Sequence, residues 1–227
     1  MFIILYFIFV EFLKVGRGVE YWPAALFLGL VMWEFFNEIT KQGLKAIVSR
    51  GGIIRKINFP KYIIVLSSSI SAFINLLLNF IIVAVFIILM DVPLSWSYLL
   101  IPVFILELYV FSLGMAFLLS TLYVKVRDID FIWEIITRAG FYAVGVLFPM
   151  SRIFEQSQLA GTLLLLNPVA QAINDARRAM LGDGLDPNNV VAQNLTLLVM
   201  PLAITVVVAI FGVIYFRQRS AYFAEDV

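Results

Sequence analysis

Four acidic residues interrupt otherwise apolar stretches of the sequence, and they are the first candidates for chemistry. They are Glu11, Glu34, Glu107 and Glu134. Acid–base catalysis and metal binding both need such groups in close pairs or clusters. These four fall on four different predicted helices, and the chain has no histidine and no cysteine. The sequence therefore predicts no catalytic centre and no metal site.

A nucleotide site is equally absent from the sequence. The phosphate-binding P-loop has the pattern GxxxxGK[ST], in which backbone amides and a lysine hold the phosphates. This pattern does not occur anywhere in the 227-residue sequence. If the protein does ATP-driven work, we expect a separate subunit to supply the energy.

The most prominent polar feature is a basic segment, residues 49–62, with the sequence SRGGIIRKINFPKY. Its alternation predicts a short amphipathic helix. The apolar side would carry Ile53, Ile54 and Ile57, and the polar side Arg55, Lys56 and Asn58. Gly51 and Gly52 would loosen its start, and Pro60 would stop it. Two interpretations stay open: a solvated loop that sets membrane topology, and a helix that contacts a soluble partner.

Composition assigns the chain to the polytopic membrane proteins. Hydrophobic residues make up 63% of it, charged residues only 14%, and the mean hydropathy is +1.00. Soluble domains are closer to half apolar and about a quarter charged. The net charge of +1 is spread over loops, so a nucleic-acid partner is not expected.

The hydropathy pattern predicts one all-α transmembrane domain over residues 1–227. A full span needs about 20 apolar residues, so residues 1–13 are too few, and we expect the chain to start partway through a first span. The predicted spans are about 1–13, 21–39, 63–90, 98–123, 131–148 and 197–216.

Several local contacts follow from spacing. Glu38 can pair with Lys41 or Gln42, and Glu134 with Arg138, because residues three or four apart share a helix face. The set around Glu38 is typical of a charged helix end at a membrane surface, whereas Glu134 and Arg138 would form an intrahelical pair within the fifth span.

Three further positions have predicted structural roles. Glu107 lies well inside a span and should face protein or water, because lipid contact would be costly. Asp128 or Asp130 should cap the following helix by accepting a backbone hydrogen bond.

The region 150–196 is the least regular. Residues 159–166 are too few to span and are expected to dip into the membrane and return. Asn167 and Pro168 predict a helix start, with proline at the first helical position, and Gly182 predicts its end after Leu181.

Lys and Arg counts predict the orientation. Ten of the sixteen fall in loops on one side, including the basic segment and the C-terminal Arg217 and Arg219, and five fall on the other. Because cytoplasmic loops are enriched in these residues, the basic segment and the C-terminus are predicted to be cytoplasmic.

Three motifs occur together in the chain: WEFFNEI at 33–39, IIRKINFP at 53–60 and YVKVRDI at 123–129. With Asn167, Pro168 and Arg177 further on, they resemble the type-2 ABC export permeases. More narrowly, they are similar to the branch that exports polysaccharides such as O-antigen, teichoic acid and capsule. The resemblance covers almost the whole chain, although the family usually begins with an amphipathic helix and a complete first span.

The resemblance implies a half-transporter with six spans in a bacterial or archaeal cytoplasmic membrane. Two copies would form the pore for a lipid-linked polysaccharide, and two copies of a soluble ABC subunit would hydrolyse ATP with Mg²⁺. The chain itself would bind no cofactor and would not be an enzyme.

The resemblance also assigns roles to residues. The coupling segment, residues 53–60, would dock on the ATPase together with the turn after the fourth span. The docking residues would be Ile53, Ile54, Arg55, Lys56, Ile57, Phe59, Pro60, Arg127 and Asp128. Asn167, Pro168 and Arg177 would belong to short re-entrant helices at the outer mouth.

Aromatic residues have two interpretations. Sugar rings stack on aromatic faces, so an aromatic pore suits a polysaccharide, but aromatic residues also anchor membrane proteins at the interfaces. The pore candidates are Phe35, Phe36, Tyr109, Phe131 and Tyr142.

Other functions stay open on the sequence alone. A drug or lipid exporter of the same fold is the nearest alternative. An enzyme acting on polyprenyl lipids would need clustered acids or a basic pyrophosphate site at one interface. A secondary transporter would show internal repeats or a broken helix at the midplane.

Overall fold

The computed structural model describes residues 21–56, 59–93, 95–182 and 195–223. All regular elements in these ranges are helical. The helices are α1 (Trp22–Ser49), α2 (Gly51–Ile54), α3 (Tyr62–Leu89), a 3-10 helix (Trp96–Leu100), α4 (Ile101–Lys125), α5 (Ile129–Ala143), α6 (Met150–Gln156), α7 (Gln158–Leu165), α8 (Pro168–Leu181) and α9 (Leu195–Arg219).

Helix α1 forms the centre of the bundle. Eighteen of its 28 residues are buried, and α3, α4 and α8 pack around it. Small and apolar side chains such as Ala24, Ala25 and Leu28 face these neighbours on several sides. The helix continues ten residues beyond the predicted span 21–39, to Ser49, so Lys41 and Lys45 lie in its last turns.

Three helical segments are long and apolar enough to cross a membrane in the described part of the chain. They are Tyr62–Leu89, Trp96–Lys125 and Leu197–Arg219, with mean hydropathies of 2.8, 2.1 and 2.9. Their outer faces expose large apolar side chains, for example Ile88, which is 73% exposed. Such surfaces are stable in lipid rather than water. The prediction of an all-α integral membrane protein is confirmed.

The predicted span 131–148 is interrupted. Helix α5 ends at Ala143, and the next residues form a non-helical turn in which Gly145 has a φ of 74°. Only glycine adopts this conformation without strain. Fifteen helical residues extend about 22 Å, less than the roughly 30 Å of a bilayer core. Three short helices, α6 to α8, follow the turn.

The predicted start and end of α8 are confirmed. The Asn167 side chain accepts a hydrogen bond from the Val169 amide at 3.0 Å, and Pro168 is the first helical residue. The helix ends at Leu181, where Gly182 adopts a φ of 70°. The run 159–166 is also helical for most of its length, as α7.

The predicted cap of α5 is wrong. Asp128 occupies the N-cap position, but its side chain accepts no capping hydrogen bond. Asp130 lies in the first turn and binds Lys45 of α1 instead, with 2.8 Å between the two charged atoms. Neither aspartate therefore makes the predicted cap, and Asp130 instead connects α5 to α1.

Helices α4 and α9 approach closely through small residues. A Cβ atom added to Gly114 would lie 2.7 Å from the Cα atom of Ala209, and one added to Gly212 would overlap the Gly114 carbonyl. Small residues at such contacts let two membrane helices pack backbone to backbone. This contact fixes the spacing of two candidate spans.

The variant Gly114→Ala should therefore lower stability by about 1–3 kcal/mol, because the added methyl group meets backbone that cannot move aside. The measurement is the unfolding temperature of the detergent-purified protein, followed by intrinsic fluorescence. Gly52→Ala is the matched control, since a Cβ at Gly52 has no atom within 4 Å. Equal unfolding temperatures for the two variants would contradict the close contact.

Candidate functional site

One end of the bundle collects most of the basic residues, and it is called the basic end here. The Lys61 ammonium group donates a hydrogen bond to the Ser220 carbonyl, which joins the start of α3 to the end of α9. Lys45 and Asp130 join α1 to α5 at the same end. The segment between α1 and α3 therefore lies beside the start of α5 and the end of α9.

The coupling segment begins in the second half of a single helical turn, α2. Helix α2 starts at Gly51, so the two glycines lie inside it, with no positive φ, rather than loosening its entry. Ile54 is buried, whereas Ile53 is 51% exposed, so the predicted apolar side is divided between core and surface. Ile57 and Asn58 lie outside the described residues.

The polar residues of this segment are available at the surface. Arg55 and Lys56 are exposed, and so is Pro60, whereas Phe59 is half-buried and packs against the core. Ile53 adds an apolar contact at the surface. Protein–protein interfaces commonly have an apolar centre surrounded by a polar rim, and exposed cations around apolar side chains fit this arrangement.

The turn before α5 lies at the same end. Arg127 and Asp128 are both exposed. The Arg127 guanidinium lies 5.2 Å from the centre of the Tyr123 ring, a cation–π distance. These two predicted docking residues thus share the basic end with the coupling segment.

Two side-chain contacts link α1 to α5 below this surface. The ion pair between Lys45 and Asp130 is partly exposed, and the hydrogen bond from Lys45 to Asp130 raises the pKa of Lys45 above the ordinary value. Deeper in the bundle, the Trp133 indole N–H donates to the Thr40 hydroxyl at 3.2 Å. A displacement of the basic end of α1 would therefore be transmitted to α5.

The five aromatic pore candidates do not form one surface. Phe35 and Phe36 are buried, and Phe35 stacks on Tyr109 with 6.2 Å between ring centres. The Tyr109 hydroxyl lies 3.0 Å from the Ser69 hydroxyl. Phe131 and Tyr142, by contrast, are exposed on α5. Three candidates are thus packed within the bundle, and two lie on its outer face.

Arg177 is the most completely enclosed charge in the described residues, at 2% exposure. Its guanidinium donates hydrogen bonds to the carbonyls of Ala25 at 2.8 Å, Gly145 at 3.1 Å and Val146. It also lies 5.2 Å from the centre of the Trp22 ring. A single side chain of α8 thus binds the start of α1 and the turn that follows α5.

The approach of Arg177 depends on a glycine. A Cβ atom at Gly29 would overlap the guanidinium group. The family resemblance assigned Arg177 to a short re-entrant helix at the outer mouth, but the sequence gave no sign of these partners, which are backbone atoms 31 to 152 residues away. The glycine in an apolar helix was the one available signal of a close approach.

Helix α8 also buries its polar side. Gln171 and Asn174 are 2% and 5% exposed, in addition to the apolar side predicted for this helix. Glu107 of α4 lies within electrostatic range of Asp175, and one of its carboxylate oxygens is buried without a hydrogen-bond partner among the described residues. The partial burial of Glu107 agrees with the prediction that it faces protein or water rather than lipid.

Two predicted local pairs are also present. The Gln42 amide donates to the Glu38 carboxylate at 2.7 Å, and Arg138 binds Glu134 at 2.6 Å. Asn75 of α3 donates to the same Glu38 oxygen at 2.7 Å. The Glu38 carboxylate therefore joins α1 to α3 as well.

An all-helical bundle with apolar outer faces and a basic end defines a multi-pass membrane protein. Residues 1–181 match the model of the ABC-2 type transporter family, and the chain belongs to that family. The resemblance to the type-2 ABC permeases is thereby confirmed. Proteins of this family are components of transporters.

Curated relatives narrow the comparison. The chain is 27% identical over 153 residues to the O-antigen export system permease protein RfbA of Myxococcus xanthus. This match covers 67% of this chain and 58% of the relative. Two proteins of the same name from Klebsiella pneumoniae are 26% and 25% identical over 172 and 185 residues. These matches cover 75% and 81% of this chain and 64% and 69% of the relatives. The chain thus spans about three fifths of the length of the first two.

Replacement of Arg177 by lysine should strongly destabilise the protein. The single ammonium group of a lysine cannot donate to all three carbonyls, as the planar guanidinium does. Each buried carbonyl left unpaired costs about 1–3 kcal/mol. Two lost partners correspond to about 2–6 kcal/mol, measured as a lower unfolding temperature in detergent. Arg138→Lys is the control, because an exposed pair four residues apart contributes only about 0.3–0.5 kcal/mol. Similar behaviour of the two variants would refute the role assigned to Arg177.

Proposed function

We propose that this chain is the membrane-spanning permease subunit of an ATP-driven exporter of lipid-linked polysaccharide. The observation that carries the proposal is the family match over residues 1–181, together with relatives named O-antigen export permeases. The substrate class would be O-antigen or a related teichoic acid or capsular polymer. The absence of a P-loop in this chain supports a separate ATP-binding subunit.

In the proposed assembly, two copies of the chain form the path and two ATP-binding subunits lie beneath them. Each copy would contribute six spans in the cytoplasmic membrane. The basic end would face the cytoplasm, as the Lys and Arg distribution supports. Helices α6 to α8 would then lie toward the outer side, as short re-entrant elements near the exit.

The proposed mechanism passes motion along α1. Closure of the ATP-binding subunits would displace the coupling segment, which follows α1 directly in the chain. The ion pair of Lys45 with Asp130 and the hydrogen bond of Trp133 with Thr40 would move α5 together with α1. At the far end, Arg177 attaches α8 and the turn after α5 to the start of α1. One displacement would thus reach both ends of the path.

The double variant Arg55→Glu, Lys56→Glu tests the docking surface. Reversal of two exposed charges at the rim of an interface should weaken binding of the ATP-binding subunit by about tenfold or more. The measurement is co-purification of the two subunits at graded salt, with transport into proteoliposomes as the second readout. Membrane insertion should be unchanged, because Lys125, Arg217 and Arg219 remain.

The control keeps the charges and exchanges the residue types, Arg55→Lys with Lys56→Arg, and should bind as the unaltered chain does. Wild-type binding and transport by the charge-reversed variant would exclude the coupling segment as a docking site. Transport by the purified chain without any ATP-binding subunit would contradict the proposed function as a whole.

A further inference from the structure

A cavity of about 410 Å³ lies between the last turns of α1 and the first turns of α3. It is at the basic end, where the coupling segment connects these two helices. Its lining combines positive side chains with hydroxyl groups, and little of it is aromatic or acidic. The lining residues are Lys41, Gln42, Lys45, Ala46, Ser49, Arg50, Ser67, Ser68 and Ser71.

The positive charge of the cavity is only partly compensated. Lys45 is paired with Asp130, but no carboxylate among the described residues lies within ion-pair distance of Lys41 or Arg50. The nearby Glu38 carboxylate is bound by the amides of Gln42 and Asn75, not by a cation. The cavity therefore presents an excess of positive charge.

Arg50 is held in place beside the cavity. It donates hydrogen bonds to the Ile64 carbonyl at 3.2 Å and to the Ser67 hydroxyl at 3.1 Å, both on α3. These bonds occupy one nitrogen of the guanidinium and leave its other donors for a ligand. The hydroxyls of Ser67 and Ser68 donate to carbonyls of their own helix, and each can rotate to donate to an anion.

Lysines, an arginine and several hydroxyls in one cavity form the donor set that recognises phosphate oxygens. Basic pockets between membrane helices on the cytoplasmic side bind lipid phosphates in this way. We propose that the cavity binds the phosphate or diphosphate group of the lipid-linked substrate before export. This inference rests on the proposed function, which supplies the lipid carrier and the cytoplasmic orientation.

The cavity also lies where a bound ligand would affect the coupling segment. Its two walls, α1 and α3, are the helices that residues 50–61 connect, and Arg50 bridges them directly. A ligand that draws Lys41 and Arg50 toward one phosphate would shift the two ends of the coupling segment. Binding of substrate would thereby alter the surface that meets the ATP-binding subunit.

The test uses the chain assembled with its ATP-binding subunit in lipid nanodiscs. The probes are polyprenyl diphosphate, the uncharged polyprenol of the same length, and phosphatidylglycerol, with binding measured by native mass spectrometry. Two variants remove charge from the cavity: Lys41→Gln alone and Lys41→Gln with Arg50→Gln. Arg217→Gln removes a cation from the same end but outside the cavity, and it is the control.

A cation near a membrane surface contributes about fivefold to the binding of an anionic lipid group. Polyprenyl diphosphate should therefore bind about fivefold more weakly to the single variant and about 30-fold more weakly to the double variant. Polyprenol binding should not change, and Arg217→Gln should bind as the unaltered chain does. The single variant keeps the inference testable if loss of Arg50 disturbs the fold, because the Lys41 side chain makes no hydrogen bond or ion pair with another described residue.

Equal binding of the diphosphate to the unaltered chain and to both variants would overturn the inference. Phosphatidylglycerol that binds as tightly as the diphosphate and displaces it would also overturn it, since the cavity would then be a general lipid site. Failure of the proposed function is separately visible, because the ATP-binding subunit would then be lost from every sample, including the control.

Discussion

The rest of the described structure depends on the enclosed guanidinium of Arg177. A buried charge without a carboxylate partner is costly unless its donors are used, and here backbone carbonyls of Ala25, Gly145 and Val146 accept them. In return, the guanidinium donates hydrogen bonds to the carbonyls of Gly145 and Val146, which a non-helical turn would otherwise leave without partners inside an apolar bundle. The non-helical turn after α5 can lie inside the bundle because Arg177 donates hydrogen bonds to its carbonyl groups.

Helix α1 connects the Arg177 contact at one end of the bundle to the basic end at the other. Its first turn binds Arg177, its middle contacts Trp133 through Thr40, and its last turns hold Lys45. A helix of 28 residues is about 42 Å long, enough to cross a bilayer core. The basic end and the short helices α6 to α8 are therefore parts of one packed unit, which fits the proposed transmission of motion across the membrane.

Local spacing made some of this structure predictable. The start of α8, the bond of Gln42 to Glu38 and the membrane class all follow from residues near each other or from composition. The partners of Arg177, Lys45 and Phe35 do not, because each contact joins residues far apart in the chain. The capping prediction failed at Asp128, whose side chain makes no cap hydrogen bond, and the ion pair of Asp130 with Lys45 was again a contact between residues far apart in the chain. The division of the aromatic candidates between core and surface likewise depends on helix packing that no periodicity specifies.

Photo-crosslinking tests most directly whether the basic end meets an ATP-binding subunit. A photoreactive residue at Ile53, which is 51% exposed beside the coupling cations, is placed in membranes that contain the assembled transporter. The same probe at Trp96, 88% exposed beyond the far end of α3, is the comparison. If the basic end is the docking surface, Ile53 should give an adduct with the ATP-binding subunit and Trp96 should give none. An adduct from Trp96, or none from Ile53 while the subunits still co-purify, would contradict docking at the basic end.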